Sequence, residues 1–214
     1  MVSDGPAAAS PAARSTATPA ADAAPNQYTA SDLRFFAPLR PGREAALKCE
    51  PETLEAAFAE ATATVTAEVT GVQPGRTYNG LQFLEVELEV VEVLRGALRP
   101  ELNGVVRVEF PATFRPDPIE PTVAAMRSQL PAGPAVWLLR WQREPPPTRK
   151  PGAPADDPSS DKSLYRVVHP NCGVFAQGAR GVLAVTARPG IPWGAQHDGE
   201  QFRTLSELAS KARG

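Results

Sequence analysis

Two cysteines, two histidines, two methionines and 7% aromatic residues are all that this 214-residue chain has of the residue types that build metal centres, redox motifs and aromatic surfaces. No stretch approaches the roughly 20 consecutive apolar residues of a membrane-spanning helix, and the N-terminus carries no apolar secretory segment. The formal net charge of -2 and a pI of about 5.8 give no long-range positive field to draw the chain onto phosphate backbones. Gly-x-Ser-x-Gly, a phosphate-cradling glycine loop and Gly-x-Gly-x-x-Gly are all absent. No motif favours an enzyme, and a domain of about 150 residues hides enough surface to stand without a cofactor.

What is abundant is proline, 24 residues, together with 16 glycines and 42% hydrophobic residues, which fits one globular domain plus unstructured segments. Residues 7–27 are Ala, Pro, Thr and Ser with almost no large apolar side chain, a composition that cannot offset the entropy of ordering. Residues 1–30 are therefore expected to form a disordered tether and residues 31–214 a single domain, with a second disordered, Pro-rich loop at about 143–162. A start at Met1 would fit a cytoplasmic protein. The tether composition fits better the spacer behind a removed export signal or lipid anchor, so a secreted or envelope location is preferred.

Order is expected to begin near Leu33, Phe35 and Phe36, the aromatic pair docking on the domain. Leu54, Ala57, Phe58 and Ala61 recur at helical spacing behind Pro51, predicting a short helix over 51–61. Strand rhythm follows: Ala63, Val65, Ala67 and Val69 alternate with Thr64, Thr66, Glu68 and Thr70. Pro74-Gly75 and Asn79-Gly80 then signal a chain reversal over 73–80. In the second strand Leu84, Val86, Leu88 and Val90 alternate with Glu85, Glu87 and Glu89, until Val90 and Val91 stand side by side. That phase flip predicts a β-bulge, with Val91 and Val93 taking over the apolar register.

Val106, Val108 and Phe110 form the inward face of a third strand, with Arg107 and Glu109 outward; a short helix is expected around 123–130. Residues 135–141 make a central strand with Trp137, Leu139 and Trp141 on one face and Val136 and Leu138 on the other. Shorter strands are expected at 164–168, 173–177 and 182–187. Thr204 and Glu207 then form a capping box on a C-terminal helix whose docking stripe is Leu205, Leu208, Ala209 and Ala212. The fold class is mostly β: a small, OB-like, closed or partly open antiparallel barrel with a short N-terminal helix and a C-terminal helix. A monomer is expected.

The series 63–72, 87–96 and 105–110, with Pro131-Ala132-Gly133 before Val136-Trp137-Leu138-Leu139-Arg140 and a late Asn171-Cys172-Gly173, resembles uncharacterised exported bacterial β-barrels of the OB-like (netrin/TIMP-like) type. The resemblance spans residues 50–188 and implies the fold. The animal inhibitors of that fold chelate a target's zinc through an N-terminal Cys-x-Cys, of which this chain has only Cys49, so none of the inhibitory residues carries over.

Cys49 before the first helix and Cys172 after the fifth strand are candidates for a disulfide at one end of the barrel. Closing so long a loop would stabilise the fold by up to about 4 to 5 kcal/mol. His169, Cys172, Cys49 and His197 reach the minimum count for zinc but lack paired ligand spacing, and His197 sits in a Gly-rich stretch expected to be loop. His169-x-x-Cys172 as base and nucleophile has only its spacing in its favour. Glu85, Glu87 and Glu89 read as a solvated strand face rather than acid–base carboxylates. No catalytic, cofactor or metal residues are assigned. The function expected is a non-enzymatic binding or interaction domain with an unknown protein or envelope partner; the alternative is a cytoplasmic OB-like nucleic-acid-binding or scaffold protein.

Overall fold

A computed structural model describes residues 27–41, 51–78, 81–99, 105–112, 118–142, 164–188, 190 and 192–214. In chain order these contain α1 (Ala30–Phe35), a 3-10 turn (Ala37–Leu39), α2 (Leu54–Glu60), β1 (Ala63–Tyr78), β2 (Leu81–Gly96), β3 (Val105–Pro111), α3 (Glu120–Arg127), β4 (Ala135–Trp141), β5 (Tyr165–Val167), β6 (Val174–Gln177), β7 (Val182–Ala184), α4 (Gly194–Glu200) and α5 (Leu205–Arg213). The loop at 143–162, Cys49 and the tether up to residue 26 lie outside the described residues. Residues 27–30 belong to the domain, because Tyr28 is buried and its hydroxyl donates to the Gly133 carbonyl at 3.0 Å.

The strands run in the order β1-β2-β3-β5-β4, and β4 pairs again with β1, which closes a five-stranded barrel; β6 and β7 extend the sheet from β4. Every pairing is antiparallel except the contact of β3 with β5 at Val108 and Tyr165. Ala63, Val65, Ala67, Leu84, Val86, Leu88, Val106, Val108 and Phe110 turn inward around Trp137. The ring of Trp137 meets Phe36 at 6.3 Å and Phe110 at 6.5 Å, so α1 plugs the barrel with the aromatic pair expected to dock there. Thr29 and Asp32 form a capping box on α1, and Asp32 also accepts from the Ala132 amide at 3.0 Å. Burial opposes ionisation of Asp32, yet the donors from Thr29 and Ala132 outweigh it and hold the carboxyl below its usual range.

A second core lies on the other face of β4. Val136, Leu138 and Phe175 pack there under Leu54, Ala57 and Phe58 of α2, Ala195 of α4, and Leu208, Ala209 and Ala212 of α5. The Thr204/Glu207 capping box on α5 is present as expected. Alternate β4 residues therefore serve two cores, which explains why the strand is apolar on both faces.

Three expectations need correction. Pro74-Gly75 does not reverse the chain; β1 runs through it to Tyr78. Beyond Ala67, β1 pairs only with β2, so it is an edge strand in which a missing N–H costs little. α3 covers that edge, Arg127 Nε donating to the Val72 carbonyl at 2.8 Å. Next, the bulge stands where expected, with Val90 opposite Ala67, Glu92 opposite Thr66 and Val91 between, but a second extra residue, Leu94, resets the phase. Leu94 is buried, and Val91 and Val93 are 61% and 42% exposed rather than core. Finally, α2 starts at Leu54 instead of Pro51, because the Thr53 hydroxyl accepts from the Ala56 amide and caps it.

Gly96 ends β2 with φ +74°, and a Cβ there would sit 2.2 Å from the Thr62 carbonyl oxygen, so both backbone conformation and space require glycine. Thr64, on the β1 face away from the barrel interior, is fully buried and its hydroxyl has no hydrogen-bond partner. Thr64→Val keeps the shape and removes the unsatisfied group. It is expected to stabilise the domain by about 1 kcal/mol and raise the thermal midpoint by roughly 2 to 4 °C; a lowered midpoint in a calorimetric scan would contradict this.

Candidate functional site

The residues singled out from sequence occupy three separate places. Cys172 closes a tight turn between β5 and β6, where its amide donates to the His169 carbonyl at 3.1 Å and its side chain is fully buried in the second core. Gly173 follows because a Cβ there would lie 2.4 Å from the Val167 side chain. His169 uses Nδ1 to accept from the Asn171 amide at 3.2 Å, which makes it a turn-bracing residue. Among the described residues there is no free cysteine. The pairing of Cys172 with Cys49 falls outside the described residues.

His197 is not in a loop but in α4, a correction with a packing cause. Asp198 accepts from the Leu54 amide at 3.0 Å, and Gly199 lies so close to Phe175 that a Cβ would come 2.2 Å from the ring. A stretch with two glycines is thus held helical by contacts to α2 and β6. Among the described residues no three His, Cys, Asp or Glu side chains gather to hold a metal.

The glutamates of β2 and β3 need the largest correction. Glu85 and Glu109 are 9% and 6% exposed, not solvated, and stand in one cross-strand row with Gln73 on the outer barrel face. Glu109 takes a two-pronged ion pair from Arg76 at 2.7 and 3.1 Å and a third hydrogen bond from Gln142 Nε2 at 3.0 Å. Glu85 accepts from Gln73 Nε2 at 2.9 Å and from Arg107 at 3.1 Å. Arg76 lies over the Phe83 ring at 4.3 Å, and Arg99 over Trp141 at 4.1 Å. Glu87 is half-buried and Glu89 exposed, as a solvated face requires. Carboxylates so saturated with donors are poorly placed to move a proton; they cross-link strands. Nothing in the spacing of Gln73, Arg76 or Gln142 distinguishes them from surface residues, so sequence reasoning had no signal for this network.

Among the described residues, clefts open where helices meet the barrel. One of about 340 Å³ lies between α1 and α3, bordered by Phe35, Met126 and Gln129. A second, of about 500 Å³, runs along α5 past Thr66, Pro134 and Gln177, and is crossed by the ion pair of Arg213 with Glu92 at 2.7 Å. The Arg213 donor holds the Glu92 carboxyl below its usual range. A third, about 210 Å³, is bordered by Leu33, Arg40, Leu183, Arg188, Gln196 and Glu200. No family model, no curated protein and no solved structure matches this chain.

Proposed function

We propose that the chain is a non-catalytic binding or interaction domain of the cell envelope or exterior, built on an OB-like barrel. The observation that carries this reading is the closure of the outer β1–β2–β3 face. OB-like barrels hold single strands on that side, through aromatics set in a basic groove. Here Glu85 and Glu109 are buried in ion pairs with Arg107 and Arg76, and Glu87 and Glu89 add further negative charge. The large aromatic Trp137 points into the core instead. The reactive residue types are likewise engaged in structure: Cys172 in an apolar core and His169 in a turn. The clefts beside the helices remain for a ligand, and the one along α5, at about 500 Å³, falls within the roughly 300 to 1,000 Å³ typical of binding pockets.

A Cys49–Cys172 bridge belongs to the same proposal, since an exported domain would form it and so tie the segment before α2 to the buried β5–β6 turn. Protein recovered from an oxidising compartment, denatured without reductant, is expected to show no titratable thiol, and two after reduction. Two thiols before reduction would remove the exported reading. Labelled short oligonucleotides are expected to give no salt-sensitive anisotropy change. A binding that weakens steeply with salt would instead favour the cytoplasmic nucleic-acid-binding reading that the barrel's strand order permits.

A further inference from the structure

Arg40 leaves the 3-10 turn behind α1 and reaches across to the end of β7, where its Nε–H donates to the Val185 carbonyl at 3.2 Å. That bond fixes the plane of a half-buried guanidinium. Among the described residues no carboxylate stands within ion-pair distance of it, and desolvation alone lowers its pKa. A guanidinium carries five N–H donors in a rigid fork that matches a carboxylate edge on two prongs. With Nε engaged, the terminal donors remain for an oxyanion, and a half-buried cation with no counter-ion among the described residues is an unfavourable arrangement that such a ligand would relieve.

The surroundings set the ligand's geometry and size. Arg188, itself engaged elsewhere, and Glu200 also border the cleft. The Glu200 carboxylate is already engaged, accepting from the Ala184 amide at 3.1 Å and from Gln196 Nε2 at 3.4 Å. One guanidinium fork offers two prongs, the geometry of a single carboxylate edge. Leu33 and the 38% exposed Leu183 provide an apolar wall for a short hydrocarbon flank. A volume of about 210 Å³ is below that of pockets for drug-sized ligands, so it suits a small acid or one acidic side chain.

We propose that the Arg40 cleft binds a single monocarboxylate, with the Arg40 fork on the carboxylate oxygens and the Leu33–Leu183 wall against its hydrocarbon flank. The proposal rests on the reading of the domain as a binder and gives that reading a ligand chemistry. The test is a titration of the full chain with sodium propionate against sodium chloride at matched ionic strength, followed in ¹H–¹⁵N spectra of the arginine Nε and backbone amide groups. A saturable shift is expected at Arg40 Nε and the amides of residues 184–187. Losing a charged hydrogen bond should weaken binding about tenfold or more in Arg40→Lys, which keeps the charge and the fold but not the fork, and Arg40→Met should abolish saturation. An aspartate-containing tripeptide binding more tightly than propionate would place the carboxylate on a polypeptide partner; equal binding would assign a free acid. Absence of saturation in the wild-type spectrum, tighter binding of inorganic phosphate, or undiminished affinity in Arg40→Lys would each overturn the proposal. These shifts are local to Arg40, so their absence leaves the wider binding reading to the other clefts, and an oligonucleotide result against that reading leaves this measurement intact.

Discussion

Trp137→Ala is expected to destabilise the domain by about 3 to 5 kcal/mol, the range for truncating a buried large aromatic. The indole sits at the centre of the barrel with no exposed surface, its Nε1–H donates to the Ala67 carbonyl at 3.3 Å, and its ring is the common neighbour of Phe36, which caps the end of α1, and Phe110 from β3. Truncation removes an aromatic contact between the α1 plug and the barrel wall, and neighbours held in paired strands cannot collapse into the gap. Against a typical total stability of roughly 5 to 15 kcal/mol, that loss brings the chain close to unfolding at ambient temperature. Trp137→Phe should cost less, since a ring remains. Denaturant titration followed by circular dichroism reads both; a loss below about 1 kcal/mol for the alanine variant would place Trp137 outside the core.

Glu109→Ala is expected to cost about 2 to 3 kcal/mol, because it removes the buried carboxylate to which a guanidinium and an amide both bond. Arg76 is itself only 19% exposed, which keeps water from fully replacing the lost partner. Arg76→Met should cost a similar amount for the reciprocal reason. The double variant Arg76→Met/Glu109→Leu should recover much of the loss, since well-packed apolar residues often match a buried ion pair in stability. The coupling energy from the four-protein cycle is expected to be about 1.5 to 3 kcal/mol. Costs that simply add would mean that the two groups do not share a contact, and the outer face of β1–β3 would have to be reconsidered as open to ligand.

Sequence reading succeeded where period and local chemistry act on neighbouring residues. The alternation of Ala63 to Val69, of Leu84 to Leu88 and of Val106 to Phe110 is the inward face of the barrel, and Thr204 with Glu207 caps α5 as written. Val90-Val91 announced its bulge because two apolar residues cannot both point inward on a two-residue period. Leu94 silently undid that flip, since one further extra residue restores the phase and leaves no mark in the pattern. Pro74-Gly75 has strong turn chemistry, and only the absence of a partner strand on one side of β1 let it stay extended. α4 reads as loop by composition, and is helical because Phe175 and Leu54 provide the surface and the amide that hold it.

The candidate sites were less legible than the fold. Glu85 and Glu109 carry the same outward register as Glu87 and Glu89; what separates them is that Arg76 and Gln142 reach Glu109 while Gln73 and Arg107 reach Glu85. The charge of Arg40 in the sequence says nothing of a carbonyl supplied by Val185, 145 residues later.

The sequence by itself determined that this is a mostly β domain with α2 before it and α5 after it, and which residues of β1 to β4 face inward, because side-chain alternation and capping are properties of adjacent residues. The tertiary structure decided which strands meet, that β4 closes on β1, which glutamates are buried and which carbonyl Arg40 reaches. Those depend on groups far apart in the chain meeting across a closed sheet, and the distance between them is not written in any local pattern.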